Sequence, residues 1–378
     1  MRNRNAIRAL AGLAVAALAF TCSTIPASGA AAPKTVGHQS LNLDFGDFTA
    51  KAELDYPTWR KNAPVVVLIP GSSPEDLNAD IPGPDGKQLS HIFLDLANSL
   101  TARGFAVMRY NKHYVTSMTQ VDYQSYYTKL TLQGMLKDAG TVLTAAQNNP
   151  HVDRHRVFLY GWSEGSTVAA ALAAAHPELT GIAFQGPVTQ SWPSLFQWQY
   201  EMVGVPYLRQ FAVNGGVGSD ELKKASAGSG GLVAKEIIQL LAPQSYTGDF
   251  SIDPALDPNH DGRIDIDNEL LPAIPGLIAK LVTGPLHIYA PGEALPDVSQ
   301  VAPKLRMPIL VLQGGNDANV PASGAATLNR NLHRDHVVRI YPGLGHTLGR
   351  TATQIGDNFQ PMTAQPQADL ALWLLLHS

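Results

Sequence analysis

The hydrophobic pattern of this chain alternates between short apolar runs and longer amphipathic stretches. A continuous apolar run at 64–69 predicts a buried strand, because such runs are typical of parallel sheets covered on both faces. Further strands are predicted at 105–109, 157–160, 181–184, 308–312 and 337–341, and helices at 92–103, 130–148, 166–175 and 368–376. Apolar–polar alternation over 41–56 predicts an antiparallel hairpin before them. This order indicates the α/β class, with a mostly parallel sheet covered by helices on both faces.

The strand–helix alternation lapses between residues 191 and 301. This interval holds aromatic and amphipathic helical patches and a glycine-rich loop at 228–231. We expect a mainly helical cap that is inserted above the carboxyl ends of the strands. The predicted organisation is a first core segment at 37–190, the cap at 191–301 and a second core segment at 302–378.

The first 30 residues have the pattern of a signal peptide. Three arginines precede an apolar run at 9–20, and small residues follow at 27–30. This pattern predicts cleavage after Ala30 and export to the periplasm or the medium. The apolar run is short for a membrane span, so we expect no transmembrane segment after signal removal. The single cysteine, Cys22, falls in this segment, and the mature protein would therefore contain no disulfide.

Composition narrows the function classes. A chain of 378 residues that is 45% hydrophobic can bury a large core. Its formal net charge of -4 and its lack of a Lys/Arg cluster disfavour nucleic acid as a partner. Metalloprotease, nucleotide-binding and dinucleotide-binding fingerprints are also absent from the sequence.

A strand-to-helix junction carries the candidate nucleophile. Residues 161–165 form a G-x-S-x-G pentapeptide, with Ser163 at its centre, between the strand predicted at 157–160 and the helix predicted at 166–175. A serine on so sharp a turn exposes its hydroxyl above the sheet. A serine hydroxyl becomes a strong nucleophile only when a base takes its proton and an acid orients that base.

Two later strands end in the residues that such a nucleophile needs. The strand at 308–312 enters a glycine turn that ends at Asp317, and the strand at 337–341 enters one that ends at His346. The order serine, acid, histidine, each after its own strand, predicts a triad of Ser163, Asp317 and His346.

The tetrahedral intermediate of such a reaction also needs two hydrogen-bond donors. One is expected to be the backbone N–H of Glu164, directly after the nucleophile. The other is expected from the loop after the strand at 64–69, where we favour the N–H of Ser72, with that of Ser73 as the second choice.

With these residues the chain resembles the α/β-hydrolase superfamily, in particular bacterial serine esterases and serine aminopeptidase-like hydrolases. The resemblance covers both core segments and rests on residues 71–78, 108–114, 152–157, 314–321 and 341–346. It implies the α/β-hydrolase fold and an acyl-enzyme mechanism with no cofactor for catalysis. The sequence departs from the family pattern at Asn111, Trp162 and Ser166, which leaves the substrate undetermined.

A second candidate site lies inside the predicted cap. Residues 257–268 follow the spacing of a calcium-binding loop, with a glycine at the sixth position for the turn. Position twelve is Asn268 where a bidentate glutamate is usual, and Glu269 or Asp267 would substitute after a shift of one residue. The predicted ligands are Asp257, Asn259, Asp261, the Arg263 carbonyl, Asp265, Asn268 and Glu269. A bound Ca²⁺ would be structural, since it would tie down a cap loop in a chain without disulfides.

Three functions follow from these features. The first is an exported serine hydrolase of the carboxylesterase type, acting on small-molecule esters. The second is a peptidase that acts on short peptides, in which Glu201 would receive the substrate amine. The third is a non-catalytic calcium-binding protein on a hydrolase fold. His113, near the expected rim of the active site, is a further candidate substrate contact.

Overall fold

The computed structural model describes residues 35–83 and 87–378, so the predicted signal peptide and Cys22 lie outside the described residues. The strands are β1 Val36–Asp44, β2 Thr49–Pro57, β3 Ala63–Ile69, β4 Asp80–Pro82, β5 Gln88–His91, β6 Ala106–Tyr110, β7 Val115–Ser117, β8 Gln120–Val121, β9 Val152–Trp162, β10 Gly181–Gln185, β11 Gly216–Val217, β12 Ile264–Asp265, β13 Ile309–Gly314 and β14 His336–Tyr341. The helices are α1 Ile92–Thr101, α2 Tyr123–Lys129, α3 Leu132–Gln147, α4 Gly165–Ala175, α5 Trp192–Gln199, α6 Val205–Leu208, α7 Ser219–Ala227, α8 Leu232–Leu241, α9 Leu271–Thr283, α10 Val298–Val301, α11 Ala322–Asn331 and α12 Ala364–His377.

Eight strands form the central sheet, in the order β1-β2-β6-β3-β9-β10-β13-β14. The pairs β1–β2 and β2–β6 are antiparallel, and the remaining pairs are parallel. The predicted hairpin is confirmed, and its second strand joins the sheet at β6. The carboxyl ends of β9, β10, β13 and β14 therefore meet at one edge, where residues that follow different strands come together.

Both faces of this sheet are buried, as the apolar run in β3 predicts. Val65 and Val67 point into a core that contains α3 and α4, whereas Val66 and Leu68 point into a second core with α1 and α12. Alternate side chains of a strand project to opposite faces, so a strand between two helical layers must be apolar at every position. The predicted α/β class with helices on both faces is confirmed.

The segment between β10 and β13 is mainly helical and has a core of its own. Helices α5 to α9 lie in this segment, and a π-helical turn at Tyr200–Gly204 continues α5 into α6. The N–H of Val298 donates to the carbonyl oxygen of Val188 at 2.9 Å, and α10 packs on α4. The chain has therefore returned to the main core by α10. Among the described residues, no helix combines the length and the apolar character needed to cross a membrane.

The single helix predicted at 130–148 is wrong in its N-terminal boundary. Leu130 has extended backbone, with ψ at 136°, and separates α2 from α3. Thr131 caps α3 instead, because its hydroxyl accepts a hydrogen bond from the N–H of Gly134 at 2.9 Å. A threonine at this position satisfies an N–H of the first turn that would otherwise have no partner.

Candidate active site

Ser163 lies on a strained turn at the carboxyl end of β9. Its φ is +55°, an uncommon value for a residue with a side chain, and its N–H donates to the carbonyl oxygen of Gln185 at 2.9 Å. A Cβ atom on Gly161 would lie 2.6 Å from the Gly165 carbonyl oxygen, and one on Gly165 would lie 2.4 Å from that of Ile69. Only glycines permit this close approach of helix to strand, which explains both glycines of the pentapeptide.

Asp317 and His346 form a buried pair in the loops after β13 and β14. Oδ2 of Asp317 lies 2.9 Å from Nδ1 of His346 and also accepts a hydrogen bond from Nε2 of Gln313 at 2.9 Å. Oδ1 accepts from the N–H groups of Asn319 and Val320 at 2.8 and 2.9 Å. All four partners of this carboxylate are therefore nitrogen groups, and together they fix its orientation toward His346.

The environment of His346 favours its protonated form. Burial lowers the pKa of His346, but the charge of Asp317 and the hydrogen bond to it outweigh this effect, so that the pKa is raised above its ordinary value. A histidine held in this way binds Asp317 through Nδ1 and leaves Nε2 to exchange a proton with a substrate or a nucleophile.

Asp357 is a buried residue of this region that sequence reasoning missed. Its Oδ2 accepts hydrogen bonds from the N–H of His346 at 2.8 Å and from the N–H of Ala318 at 3.1 Å. The acid loop and the histidine loop are thus joined through one carboxylate. Burial and the nearby charge of Asp317 raise the pKa of Asp357. Asp357 positions the loops, and no sequence motif marks it.

Ser163 and His346 both adjoin the end of β10. A Cβ atom on Gly186 would lie 2.9 Å from Cε1 of His346, and Gln185 donates to the His346 carbonyl oxygen at 2.9 Å. Within the described residues, the Ser163 hydroxyl has no hydrogen-bond partner, so the structure joins Asp317 to His346 but does not join His346 to Ser163. Such contacts often tighten only when substrate is bound.

The loop after β3 runs beside Ser163. A Cβ atom on Gly71 would lie 3.3 Å from Cβ of Ser163, and the Gly71 N–H donates to Glu75 at 2.8 Å. The hydroxyl of Tyr126 donates to the Ser72 carbonyl oxygen at 2.7 Å. Burial raises the pKa of Glu75 to about 7, against the opposing charge of a neighbouring lysine. Across the part of the chain that is described, the N–H groups of Ser72 and Glu164 meet no protein acceptor.

A buried ion pair between Lys112 and Glu164 contacts the loop that follows β3. Nζ of Lys112 lies 2.8 Å from Oε1 of Glu164 and also donates to the Gly71 carbonyl oxygen. The hydroxyl of Tyr289 donates to the second oxygen of Glu164. Burial lowers the pKa of Lys112, but attraction to Glu164 outweighs it and raises the pKa above its ordinary value. The side chain of Glu164 thus holds Lys112 and Tyr289, whereas its N–H meets no acceptor among the described residues.

A cavity of about 730 Å³ opens beside Ser163. Its core wall is formed by Ser72, Ser73 and Pro74 together with Tyr126 and Tyr127. Helices α5, α8 and α9 supply the opposite wall. A cavity of this size is in the range that binds small molecules.

Neither of the two further candidate substrate contacts lines this cavity. His113 binds Asp138 at 2.8 Å through Nδ1 and Asp47 at 3.1 Å through Nε2. Glu201 accepts a hydrogen bond from Gln197 at 2.8 Å. Among the described residues, the acidic side chain that lines the cavity is Glu236, on α8, and no sequence motif marks it.

The predicted calcium loop has its acidic side chains folded onto its own backbone. Asp257 accepts from the N–H groups of Asp261 and Gly262 at 3.1 and 2.9 Å. Asp261 accepts from the Arg263 N–H at 2.9 Å. Three more predicted ligands accept hydrogen bonds from backbone N–H groups of the loop: Asn259 from Asp261, Asp265 from Asn268, and Glu269 from Asp265.

A closer group of carboxylate and imidazole side chains lies outside the predicted calcium loop. Within the described ranges, three such ligand atoms lie within 4.8 Å of one another only at His38, Glu53 and Asp55. Arg109 binds both acids of this group, at 2.6 and 2.7 Å. The guanidinium already neutralises the acids there, which disfavours a metal ion at this second place.

One protein-family model matches part of the chain. The family model for acetyl xylan esterase (AXE1) matches residues 102–203, which include Ser163 but neither Asp317 nor His346. Comparison with curated proteins gives no significant match.

Similar solved structures cover nearly the whole chain. A hypothetical protein from Pseudomonas aeruginosa is 15% identical, covers 92% of this chain and 96% of its own, and has a TM-score of 0.51. Est1E from Butyrivibrio proteoclasticus is 13% identical over 89% of this chain and 98% of its own, with a TM-score of 0.47. Dienelactone hydrolase from Anabaena variabilis is 12% identical over 90% of this chain and 98% of its own, with a TM-score of 0.46. The sheet order and the serine elbow at the end of β9 show that the chain has the α/β-hydrolase fold.

Proposed function

We propose that the protein is a serine hydrolase that cleaves carboxylic esters. Ser163 Oγ attacks the ester carbonyl carbon while Nε2 of His346 takes its proton, and the same nitrogen then protonates the departing alcohol. Water, deprotonated by His346, hydrolyses the acyl-enzyme and releases the acid and free Ser163. The observation that carries the proposal is the bond between Asp317 and His346 at the strand edge that also holds Ser163.

The backbone N–H groups of Ser72 and Glu164 are proposed to hold the oxyanion of the tetrahedral intermediates. Support comes from their lack of acceptors within the described residues and from the position of Gly71, where an added Cβ atom would lie 3.3 Å from Cβ of Ser163. The buried pair of Lys112 and Glu164 keeps the loop in place during the reaction. Apart from the attacking water, each step of this proposed mechanism uses only side chains and backbone groups of the chain.

The substrate class is proposed to be small esters with a short acyl group. The match of residues 102–203 to the acetyl xylan esterase family model supports acetyl esters, and the cavity has room for a small molecule. A peptidase acting on short peptides is the second candidate, since a serine triad also cleaves amides. A non-catalytic calcium-binding protein is the third.

Purified protein assayed with p-nitrophenyl acetate and with aminoacyl anilides separates these candidates. We expect turnover of the ester, with kcat/KM for the anilides lower by at least about a hundredfold. Faster cleavage of the anilides would favour the peptidase. No turnover of either substrate, together with no fluorophosphonate adduct on Ser163, would favour the non-catalytic alternative.

We also propose that the protein acts outside the cytoplasm, in the periplasm or the medium. The support is the basic, apolar and small-residue pattern of the first 30 residues. N-terminal sequencing of protein recovered from the host's medium or periplasm should begin at Ala31. Recovery only in the cytoplasm, with an intact N terminus, would refute export.

The loop at 257–269 is proposed to bind a structural Ca²⁺ ion. Calcium at about a hundred times its dissociation constant is expected to raise the free energy of unfolding by about 2.7 kcal/mol. Thermal unfolding with calcium and with chelator measures this effect. Asp261→Ala removes a predicted ligand and should abolish it.

Asp249→Ala is the matched control for this experiment. Asp249 makes the same kind of local turn, accepting from Ser251 at 2.9 Å, but lies outside the predicted loop. Its replacement should leave the calcium effect intact. Equal unfolding temperatures with calcium and with chelator in the wild type would refute the site.

A further inference from the structure

Glu236 is the one charged side chain among the described residues that line the cavity beside Ser163. It lies half-buried on α8, and its carboxylate has no hydrogen bond or ion pair with any described residue. Lysines and arginines are not among the lining residues. A half-buried carboxylate that has no partner loses part of its hydration without compensation, so a cation beside it would be stabilising.

The surroundings of Glu236 are rich in aromatic side chains. Tyr200, Phe196 and Trp192 line the cavity from the same segment, and Tyr126 and Tyr127 line it from α2. Burial raises the pKa of Glu236 to about 7, and burial together with the charge of Glu236 raises the pKa of Tyr200. Aromatic rings combined with a carboxylate form the typical environment that binds an organic cation.

We propose that Glu236 recognises a positively charged ammonium group on the ester substrate. This inference rests on the proposed function and adds the substrate class to it. The ammonium would balance the unpaired carboxylate, and the neighbouring rings would contact its alkyl groups while the ester carbonyl lies at Ser163. The ammonium group can belong to the alcohol part or to the acyl part of the ester, and the experiment below includes both cases.

Isosteric pairs of esters test this proposal. For the alcohol side, acetylcholine is compared with the acetate ester in which carbon replaces the ammonium nitrogen. For the acyl side, an ω-amino acyl ethyl ester is compared with the ester that has methyl in place of ammonium. At about pH 8, where Glu236 is mostly ionised, we expect at least one cationic ester to have a kcat/KM about tenfold or more above that of its neutral isostere.

Variants of Glu236 test whether its carboxylate causes the preference for cationic esters. Glu236→Gln keeps the size of the side chain and removes its charge, so the ratio of kcat/KM between cationic and neutral esters should fall to about one. Glu236→Asp should restore part of the ratio. Glu201→Gln is the matched control, because Glu201 is an acidic residue of the same segment that does not line the cavity, and it should leave the ratio unchanged.

Binding without turnover keeps this inference separate from the proposed function. Calorimetry with acetylcholine and Ser163→Ala protein should detect binding, and the added Glu236→Gln change should weaken it by about tenfold. If neutral esters are cleaved with no cationic preference and no binding is found, the inference is wrong and the esterase stands. If no ester is cleaved but the Glu236-dependent binding is found, the esterase is wrong and the cation site stands.

Discussion

Ser163→Ala is expected to lower kcat for ester hydrolysis by about a millionfold, to the level that the remaining groups can supply alone. The change removes the attacking oxygen, and no neighbouring hydroxyl takes its place on the strained turn where φ is +55°. KM should change little, because the cavity walls remain as they are. Initial rates with p-nitrophenyl acetate, and labelling with a fluorophosphonate followed by mass spectrometry, measure the effect.

Ser72→Ala is the matched control for the loss of a serine hydroxyl beside the cavity. Ser72 is proposed to act through its backbone N–H, which alanine retains, so its replacement should keep kcat within about tenfold of the wild type. A wild-type rate in the Ser163→Ala variant, or a fluorophosphonate adduct on another residue, would exclude Ser163 as the nucleophile. An equal loss in both variants would point instead to a disturbed oxyanion loop.

The central sheet could be predicted from the sequence because its strands are buried on both faces. Residues 64–69 are apolar at every position, which separates such a strand from an exposed one without any knowledge of its neighbours. The glycines around Ser163 and in the loops before Asp317 and His346 likewise mark sharp turns at strand ends. Both kinds of signal are local, so one sequence suffices to read them.

The residues that support the site could not be predicted, because their roles depend on contacts between distant segments. Asp357 joins the acid and histidine loops, and Lys112 binds Glu164 across 52 positions of the chain. Glu236 is one of several acidic residues on amphipathic helices, and only the packing of α8 turns it toward the cavity. The helix predicted from residue 130 begins at Leu132 instead, because the Thr131 hydroxyl caps it by accepting a hydrogen bond from the N–H of Gly134.

Asp317→Asn is expected to lower kcat by about ten-thousandfold, although the side chain keeps its shape. The carboxylate accepts hydrogen bonds on both oxygens, from His346 and Gln313 on one and from the N–H groups of Asn319 and Val320 on the other. An amide that points its NH₂ at His346 forces the proton onto Nε2, and the imidazole can then no longer act as base. In the opposite orientation the NH₂ group would face the N–H groups of Asn319 and Val320, and donors that face each other cannot form hydrogen bonds.

The pH profile distinguishes this mechanism from a general loss of structure. His346 must be neutral to accept the serine proton, and its pKa is raised by Asp317, so wild-type kcat/KM should rise with pH through a pKa above 6.5. Without the charge of Asp317 this pKa falls, and the residual activity of Asp317→Asn should rise at lower pH than that of the wild type.

Asp357→Asn controls for the loss of a buried carboxylate beside the same histidine. Its partners are the N–H groups of His346 and Ala318, and an amide oxygen can accept both, so the tautomer of His346 is preserved. We expect kcat within about tenfold of the wild type, which corresponds to about 1.4 kcal/mol. If Asp357→Asn instead matched the loss in Asp317→Asn, both acids would act by holding the two loops together. Asp317 would then have no separate role in orienting the base.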